Sequence, residues 1–392
     1  MASPETPPRP ARAADPMRSA ACPACRSTGR LSPAQRAADT RRRNKARALA
    51  RIRARTAVQD RAVAVSPVAF VQAMLPHSDA YVLGPDGEPA TVPTGRLGPD
   101  GEPEALRLHA PEYTATNGAF TLTVRAGTRR GPSHLHPRLS LGVPSGGLAR
   151  YLLAHVVTEA KKRRSPVVPL GRTLADLCAA LGITPSGGKN GRLRYVFDQL
   201  LRLATCSVAF QWEAGTGYGP RGREHYRGNQ VLLIDAYDLW WERAEAAAAG
   251  RTADAPVERA LGGTLTLGAQ LWRLCQDGCF PLDRRKLAFF RDHPTAADLY
   301  GWLTHRLGTL ASEGRDEVAL NYDQLHAQLG SHYATDPAGR LTARGKKDFG
   351  YNLRKALGRV RLTWPALDVR TPRGRLVLRA TEPDVPFRHG PS

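Results

Sequence analysis

Between Thr173 and Phe210 the hydrophobic pattern changes period in a telling way. A short helical stretch gives way to a Gly-rich turn, then to a longer helix, then to the alternation of a strand. In the longer helix Leu193, Val196, Phe197, Leu200 and Leu201 fall on one face at the 3.6-residue period. The other face carries Arg192, Arg194, Gln199 and Arg202, with Lys189 just ahead of it. Tyr195 lies in the same helix. This is the layout of a helix-turn-helix: an apolar stripe anchors the helix, and a cationic and amide face is left to meet phosphates and base edges.

The flanking patterns extend that unit. Ala119 to Val124 alternates as a strand, and Gly147 to Arg164 reads as an amphipathic helix with a basic end. Ser207 to Trp212 and Gln230 to Asp235 read as strands around a Gly- and Arg-rich tip that holds Arg221, Arg223 and Arg227. A helix-turn-helix followed by a basic hairpin describes a winged helix. The plan then recurs. Ala297 to Leu310 is amphipathic, Val318 to Leu320 is a short strand, and Tyr322 to Leu329 is a short helix. Arg344 to Leu362 is a long helix with Phe349, Leu353, Ala356, Leu357 and Val360 inward. Arg344, Lys346, Lys347, Arg354, Lys355 and Arg359 are expected on its DNA-facing side. Leu367 to Arg370 and Arg375 to Arg379 make a second small wing.

The predicted fold class is therefore α+β, with tandem winged-helix domains bearing small β-hairpin wings, preceded by a basic disordered N-terminal arm. The expected boundaries are an arm over 1–62, a Pro/Gly-rich linker or loop region over 63–117, and a first winged-helix domain over 118–242. A linker over 243–263, a second winged-helix domain over 264–382 and a tail over 383–392 follow. The linker region holds GPDGEP twice, at Gly84 to Pro89 and Gly98 to Pro103, each with a Pro-Asp-Gly turn. Two copies are too few for a repeat architecture.

Charge sharpens this picture. The net charge of +22 makes a polyanion the expected partner, nucleic acid ahead of an anionic membrane or an acidic protein. Residues 1–62 hold 15 Arg and Lys against 4 Asp and Glu, so half of the excess sits in the arm. That arm reads either as a solvated tail or as a non-specific DNA clamp that turns helical on contact. No apolar run approaches the length of a spanning helix, and the N-terminus lacks a signal-peptide core, so a cytoplasmic protein is expected, without membrane association.

Several constellations resemble catalytic chemistry. His134-Leu135-His136 has the spacing of a metal-holding pair in a nicking endonuclease, with Tyr195, Tyr218 or Tyr226 as nucleophile. Pro132 and Pro137 bracket the pair, which argues against a central strand there. Gly182 to Asn190 fails the P-loop register, and Asn190 stands where a Mg²⁺-binding hydroxyl is required. Cys22 and Cys25 form half a zinc knuckle without a second pair nearby; Cys178 and Cys206 read as core. Glu159 and Asp298 read as salt-bridge partners. No enzyme activity, cofactor or metal is expected.

The stretches Gly142 to Gly171, Leu181 to Leu203 and Thr295 to Leu307 resemble the plasmid-encoded RepA replication initiator family. The resemblance rests on Thr158-Glu159-Ala160, on Ser186-Gly187-Gly188 ahead of Gly191, on Gln199 with Arg202-Leu203, and on Asp298 through Leu303. It covers roughly residues 118 to 375. Tyr195 stands where the family usually has Arg, and Asn321-Tyr322 replaces a usual Trp. The resemblance implies binding of double-stranded DNA at origin repeats, opening of a neighbouring AT-rich segment, and recruitment of the host replicative helicase or its loader. Self-association on DNA and repression of its own gene are further implications. A metal-dependent nicking initiator and a winged-helix transcription regulator stand as alternatives.

Overall fold

The computed structural model describes residues 33–53, 63–72, 74–97, 102–117, 120–186, 191–215, 224–239, 263–329, 333–336 and 340–385. The chain divides into two compact units, Met1–Arg51 and Ile52–Ser392. The first contains all but the last two residues of α1 (Pro33–Arg53), a helix of 21 residues that begins with Pro, whose fixed φ suits a first turn. The expectation of disorder across 1–62 is thus corrected for this stretch, which is rich in Ala and Arg and so in helix formers.

The second unit opens with β1 (Val63–Pro67) and the single turn α2 (Ala69–Gln72). Strands β2 (Thr91–Leu97) and β3 (Pro103–Arg107) pair as a hairpin, and β4 (Glu112–Asn117) pairs with β5 (Phe120–Arg125). The described residues of 63–117 therefore form strands and turns, which corrects the expectation of a linker or loop region. Their Pro and Gly residues serve turns: at the first GPDGEP copy, Gly87 N–H donates to Gly84 O at 3.0 Å and Gly84 N–H to Glu88 O at 2.8 Å. Most of the second copy lies outside the described residues. In β5 the alternation is read out directly, with Phe120, Leu122 and Val124 all buried. The short hairpin β6 (Thr128–Arg130) and β7 (Arg138–Ser140) follows.

Next come α3 (Gly146–Arg163), β8 (Val167–Pro169), α4 (Leu174–Ala180) and α5 (Arg192–Thr205). The N-cap of α4 is a full capping box between Thr173 and Asp176. β9 (Ser207–Gly215) and β10 (Glu224–Leu232) form the long hairpin, which joins β5 and β4 in a sheet ordered β10-β9-β5-β4. β11 (Ile234–Leu239) and β12 (Gly263–Leu267) then form a second sheet with β8. After α6 (Ala269–Asp277), β13 (Cys279–Asp283) pairs with β1, Val63 opposite Asp283. A boundary at 263/264 therefore falls at the start of a strand, and the next two strands are bonded back into the first half. Periodicity marks strands but not their partners. Residues 243–262 lie outside the described residues.

The last part begins with α7 (Arg284–Phe290) and α8 (Pro294–Glu313), followed by β14 (Glu317–Asn321), α9 (Tyr322–Leu329) and α10 (Ala343–Thr363). The chain then forms β15 (Val369–Arg370) and β16 (Arg375–Arg379), in a sheet ordered β14-β16-β15. Each half thus follows the order helix, short strand, short helix, long helix, hairpin. The overall class is mixed α+β with small antiparallel sheets.

Three contacts lock the second unit together. At the start of α3, a Cβ on Gly147 would lie 2.5 Å from Arg291 O, so only glycine lets this helix abut the end of α7. Arg150 of α3 pairs with Asp298 of α8, Nη2 to Oδ2 at 2.7 Å, and His77 Nε2 meets the same oxygen at 2.9 Å. Finally, Lys286 pairs with Asp384, and the Tyr300 hydroxyl donates to Asp384 Oδ2 at 2.8 Å. The lysine also lies 5.3 Å from the Trp364 ring centroid. The expected tail over 383–392 is therefore anchored at its start, because Asp384 neutralises a buried lysine; residues 386–392 lie outside the described residues.

Candidate nucleic-acid interface

The helix α5 buries Leu193, Val196, Leu200, Leu203 and Ala204. Its polar face is split along its length. Toward its N-terminus Arg192 and Tyr195 are exposed, Tyr195 by 44%. Arg194 is half-buried, and its Nε donates to both oxygens of Asp198, at 3.0 and 2.9 Å. Arg192 lies 3.6 Å from Asp292. Even the outward cations of α5 are therefore partly neutralised by acids.

Gln199 and Arg202 do not face solvent, which corrects the expectation that they touch DNA. Gln199 is 1% exposed, and its Oε1 accepts from Ser145 N–H at 3.0 Å. Arg202 is 8% exposed; its guanidinium donates to Asp79 Oδ1 at 2.7 Å and Oδ2 at 3.3 Å, and to Val143 O at 3.3 Å. Burial pushes the Asp79 carboxyl upward, but bonds from Arg202 and Ser145 overcome it and hold it below the usual carboxylate range. A helical wheel places Gln199 and Arg202 on the stripe of Tyr195. What the wheel omits is that loops carrying Asp79, His109, Val143 and Ser145 cover the C-terminal half of that stripe.

In the second long helix the pattern holds. The N-cap Thr342 Oγ1 accepts from Gly345 N–H at 3.1 Å, and Phe349, Leu353, Ala356, Leu357 and Val360 are buried. A Cβ on Gly350 would meet the Tyr322 ring at 2.7 Å, so glycine allows α10 to lie close on α9. Arg344, Lys346, Lys347, Arg354 and Lys355 are exposed and Arg359 is half-buried. Lys346 lies 3.0 Å from Asp323, Arg344 lies 3.8 Å from Asp348, and Arg354 Nη1 reaches the Tyr322 hydroxyl at 3.5 Å.

Between these cations lies Tyr351, 60% exposed, with Lys355 Nζ 6.0 Å from its ring centroid. The sequence reading missed it. The signal was there: Tyr351 falls off the Phe349–Leu353 stripe, with lysines four residues before and after. Also missed were Arg373 and Arg375, exposed at the β15–β16 turn, where Arg375 N–H donates to Pro372 O at 3.0 Å.

The remaining candidates are less informative. Lys189, Arg221 and Arg223 lie outside the described residues, as does the side chain of Arg227, whose backbone pairs with Trp212 in β10–β9. Tyr218 and the side chain of Tyr226 lie outside them too, and so do Cys22 and Cys25. His134 and His136 occupy the bend between β6 and β7. Among the described residues no three His, Cys, Asp or Glu side chains gather in a metal-holding group. Cys178 and Cys206 are buried, and burial pushes their thiols up to about 11 and about 12. Glu159 lies 3.4 Å from Lys162 and 3.8 Å from Arg284. No helix among the described residues is long and apolar enough to cross a membrane.

Two crystal structures of RctB fragments are similar to this chain. One, of its domain 2 and domain 3, has a TM-score of 0.42 at 12% identity and covers 73% of this chain and 95% of that one. The other, of RctB domains 2-3, has a TM-score of 0.35 at 11% identity, covering 69% and 91%. No curated protein matches the chain. Residues 143–324, which run from the loop before α3 into α9, match the family model described as plasmid encoded RepA protein. The match to the plasmid encoded RepA protein family thus spans just under half of the chain, from α3 through α8.

Proposed function

We propose that the chain is a plasmid replication initiator that grips repeated sites at an origin through two winged helices. The observation that carries this reading is the outward face of α10, where Arg344, Lys347, Arg354 and Lys355 surround an exposed Tyr351. In the order of elements α10 holds the place of a recognition helix, and β15–β16 that of a wing. The match to the plasmid encoded RepA protein family over residues 143–324 supports the biological setting.

In this reading α10 enters the major groove. Arg354 and Lys355 meet base edges or phosphates, Tyr351 packs against the groove wall, and Arg373 and Arg375 hold the backbone beside it. The N-terminal part of α5, with Arg192, Arg194 and Tyr195, is the second contact. Both helices belong to one frame, tied through Arg150, Asp298 and His77. Several copies on adjacent repeats bend the duplex and lower the cost of opening an AT-rich neighbour. Recruitment of the host helicase or its loader, self-association on DNA, repression of its own gene and action in the cytoplasm complete the proposal.

The work is done by binding and strain, without a bond being broken. Of the tyrosines considered as nucleophiles, Tyr195 has its phenol pushed up by partial burial of the ring and by the Asp79 carboxylate, so less of it is ionised at neutral pH. The test is a minimal plasmid carrying this gene and its flanking DNA, together with binding of the purified protein to that DNA. Replication, and preference for direct repeats over random duplex, are expected. Strand nicking, or a tyrosine joined covalently to a DNA end, would overturn the proposal.

A further inference from the structure

We propose that α1 is a third DNA contact, independent of sequence, that lies along the phosphates of a duplex gripped elsewhere by the long helices. It rests on the reading of the chain as a duplex-binding initiator. Over its 21 residues α1 carries eight Arg and Lys and one Asp. At 100° per residue, Arg36, Arg41, Arg42, Arg43, Lys45 and Arg47 spread over most of the circumference, and the widest sector without one of them, about 120°, holds Ala37, Thr40, Asn44 and Ala48. From residue 33 to 50 every side chain is exposed except Asp39, Ala48 and Leu49, which are half-buried.

Among the described side chains the apolar residues of α1 are mostly alanine interrupted by Thr40 and Asn44, which is not the continuous stripe of large apolar residues that docks on a protein core or lies in a membrane interface. The helix is also self-repelling. Arg41 and Lys45, and Arg43 and Arg47, are like charges at i,i+4, each pair destabilising the helix. One compensating pair, Asp39 with Arg43, is present among the described residues. A polyanion removes these repulsions together. The helix is about 31 Å long at 1.5 Å per residue. A B-form duplex carries one charge per ~1.7 Å, about 18 phosphates over that length, and its major groove of ~12 Å admits a helix. The deep, narrow major groove of A-form RNA does not, which selects DNA.

The test uses the full chain and a variant with Arg41→Gln, Arg42→Gln, Arg43→Gln and Arg47→Gln, substitutions that keep helix propensity. Binding to the flanking repeats and to random duplex of equal length is measured from low to high salt. For the variant, the slope of log affinity against log salt flattens by about 3–4 on both duplexes, at ~0.9 for each phosphate that is no longer neutralised. The preference for the repeats is unchanged, and a variant with four Arg→Lys changes restores the slope. Unchanged slopes with an intact preference would overturn this role for α1 alone. So would a loss confined to the repeats, or capture of the wild type but not the variant by anionic lipid vesicles without any change on DNA. Absence of preference in the wild type would instead sink the reading of the long helices.

Discussion

The two long helices α5 and α10 occupy the same place in their halves, yet α10 carries seven Arg and Lys against three on α5, and the two are used differently. On α10 Lys346 and Arg344 also face acids, Asp323 and Asp348, but Lys347, Arg354 and Lys355 stay exposed with no acid partner among the described residues. On α5 the cationic face is interrupted: Asp198 takes Arg194, Asp292 approaches Arg192, and Asp79 holds Arg202 in the interior. A cation already facing an acid brings less net charge to a phosphate. In our account α10 therefore supplies most of the affinity, while α5 contributes position and shape.

The largest effect expected concerns the frame that both helices share. Asp298 is buried, and although burial pushes its carboxyl upward, Arg150 and His77 hold it below the ordinary value. Asp298→Ala leaves the largely buried Arg150 with backbone carbonyls but no counter-charge from this carboxylate, and should cost about 3–5 kcal/mol of folding stability by denaturant titration. If the frame sets the spacing of the two helices, milder variants here weaken binding to the repeats before they weaken binding to random duplex.

A second, slightly smaller effect follows from pH. Burial, followed by the nearby Arg284 guanidinium, lowers His155 to about 4. The unfolded chain then binds the proton that the folded chain refuses, so this contribution is complete above about pH 6.5 and is lost as pH falls toward 4. The loss is on the order of 3 kcal/mol. Urea midpoints measured across that window should fall, and His155→Gln should flatten the fall if the variant keeps its fold.

The comparison itself is sharpened by substitutions on each helix. Tyr351→Ala and Arg354→Ala on α10 should each weaken binding to the repeats by ~1–3 kcal/mol in a titration. The smallest effect belongs to Arg194→Ala on α5, below about 1 kcal/mol, because Asp198 already engages that side chain. Reversal of this order between the two helices would show that α5 dominates. Arg202→Ala should lower stability and leave the sequence preference as it is.

Much of the element order was legible from periodicity. The stripe of Leu193, Val196 and Leu200, and that of Phe349, Leu353 and Leu357, are buried as their spacing predicts. Pairing was not legible. The β1–β13 contact joins residues more than two hundred apart in sequence, and no local pattern encodes a strand's partner. The same blindness explains Gln199 and Arg202. Their polarity marked them for solvent, but a polar side chain also finds partners in the interior: Asp79 for Arg202, and Ser145 for Gln199 Oε1, although the buried Gln199 Nε2 has no hydrogen-bond partner among the described residues. Tyr351 failed the other way, since an aromatic residue was not sought on a cationic face.

The most direct measurement is competition binding at physiological ionic strength, flanking repeats against random duplex, for the wild type, an Arg354→Ala/Lys355→Ala variant and an Arg192→Ala/Arg194→Ala variant. Our account predicts a clear preference for the repeats in the wild type, a large loss for the α10 pair and a small one for the α5 pair. A wild type that binds both duplexes equally, or an α10 variant that keeps full affinity for the repeats, would contradict it.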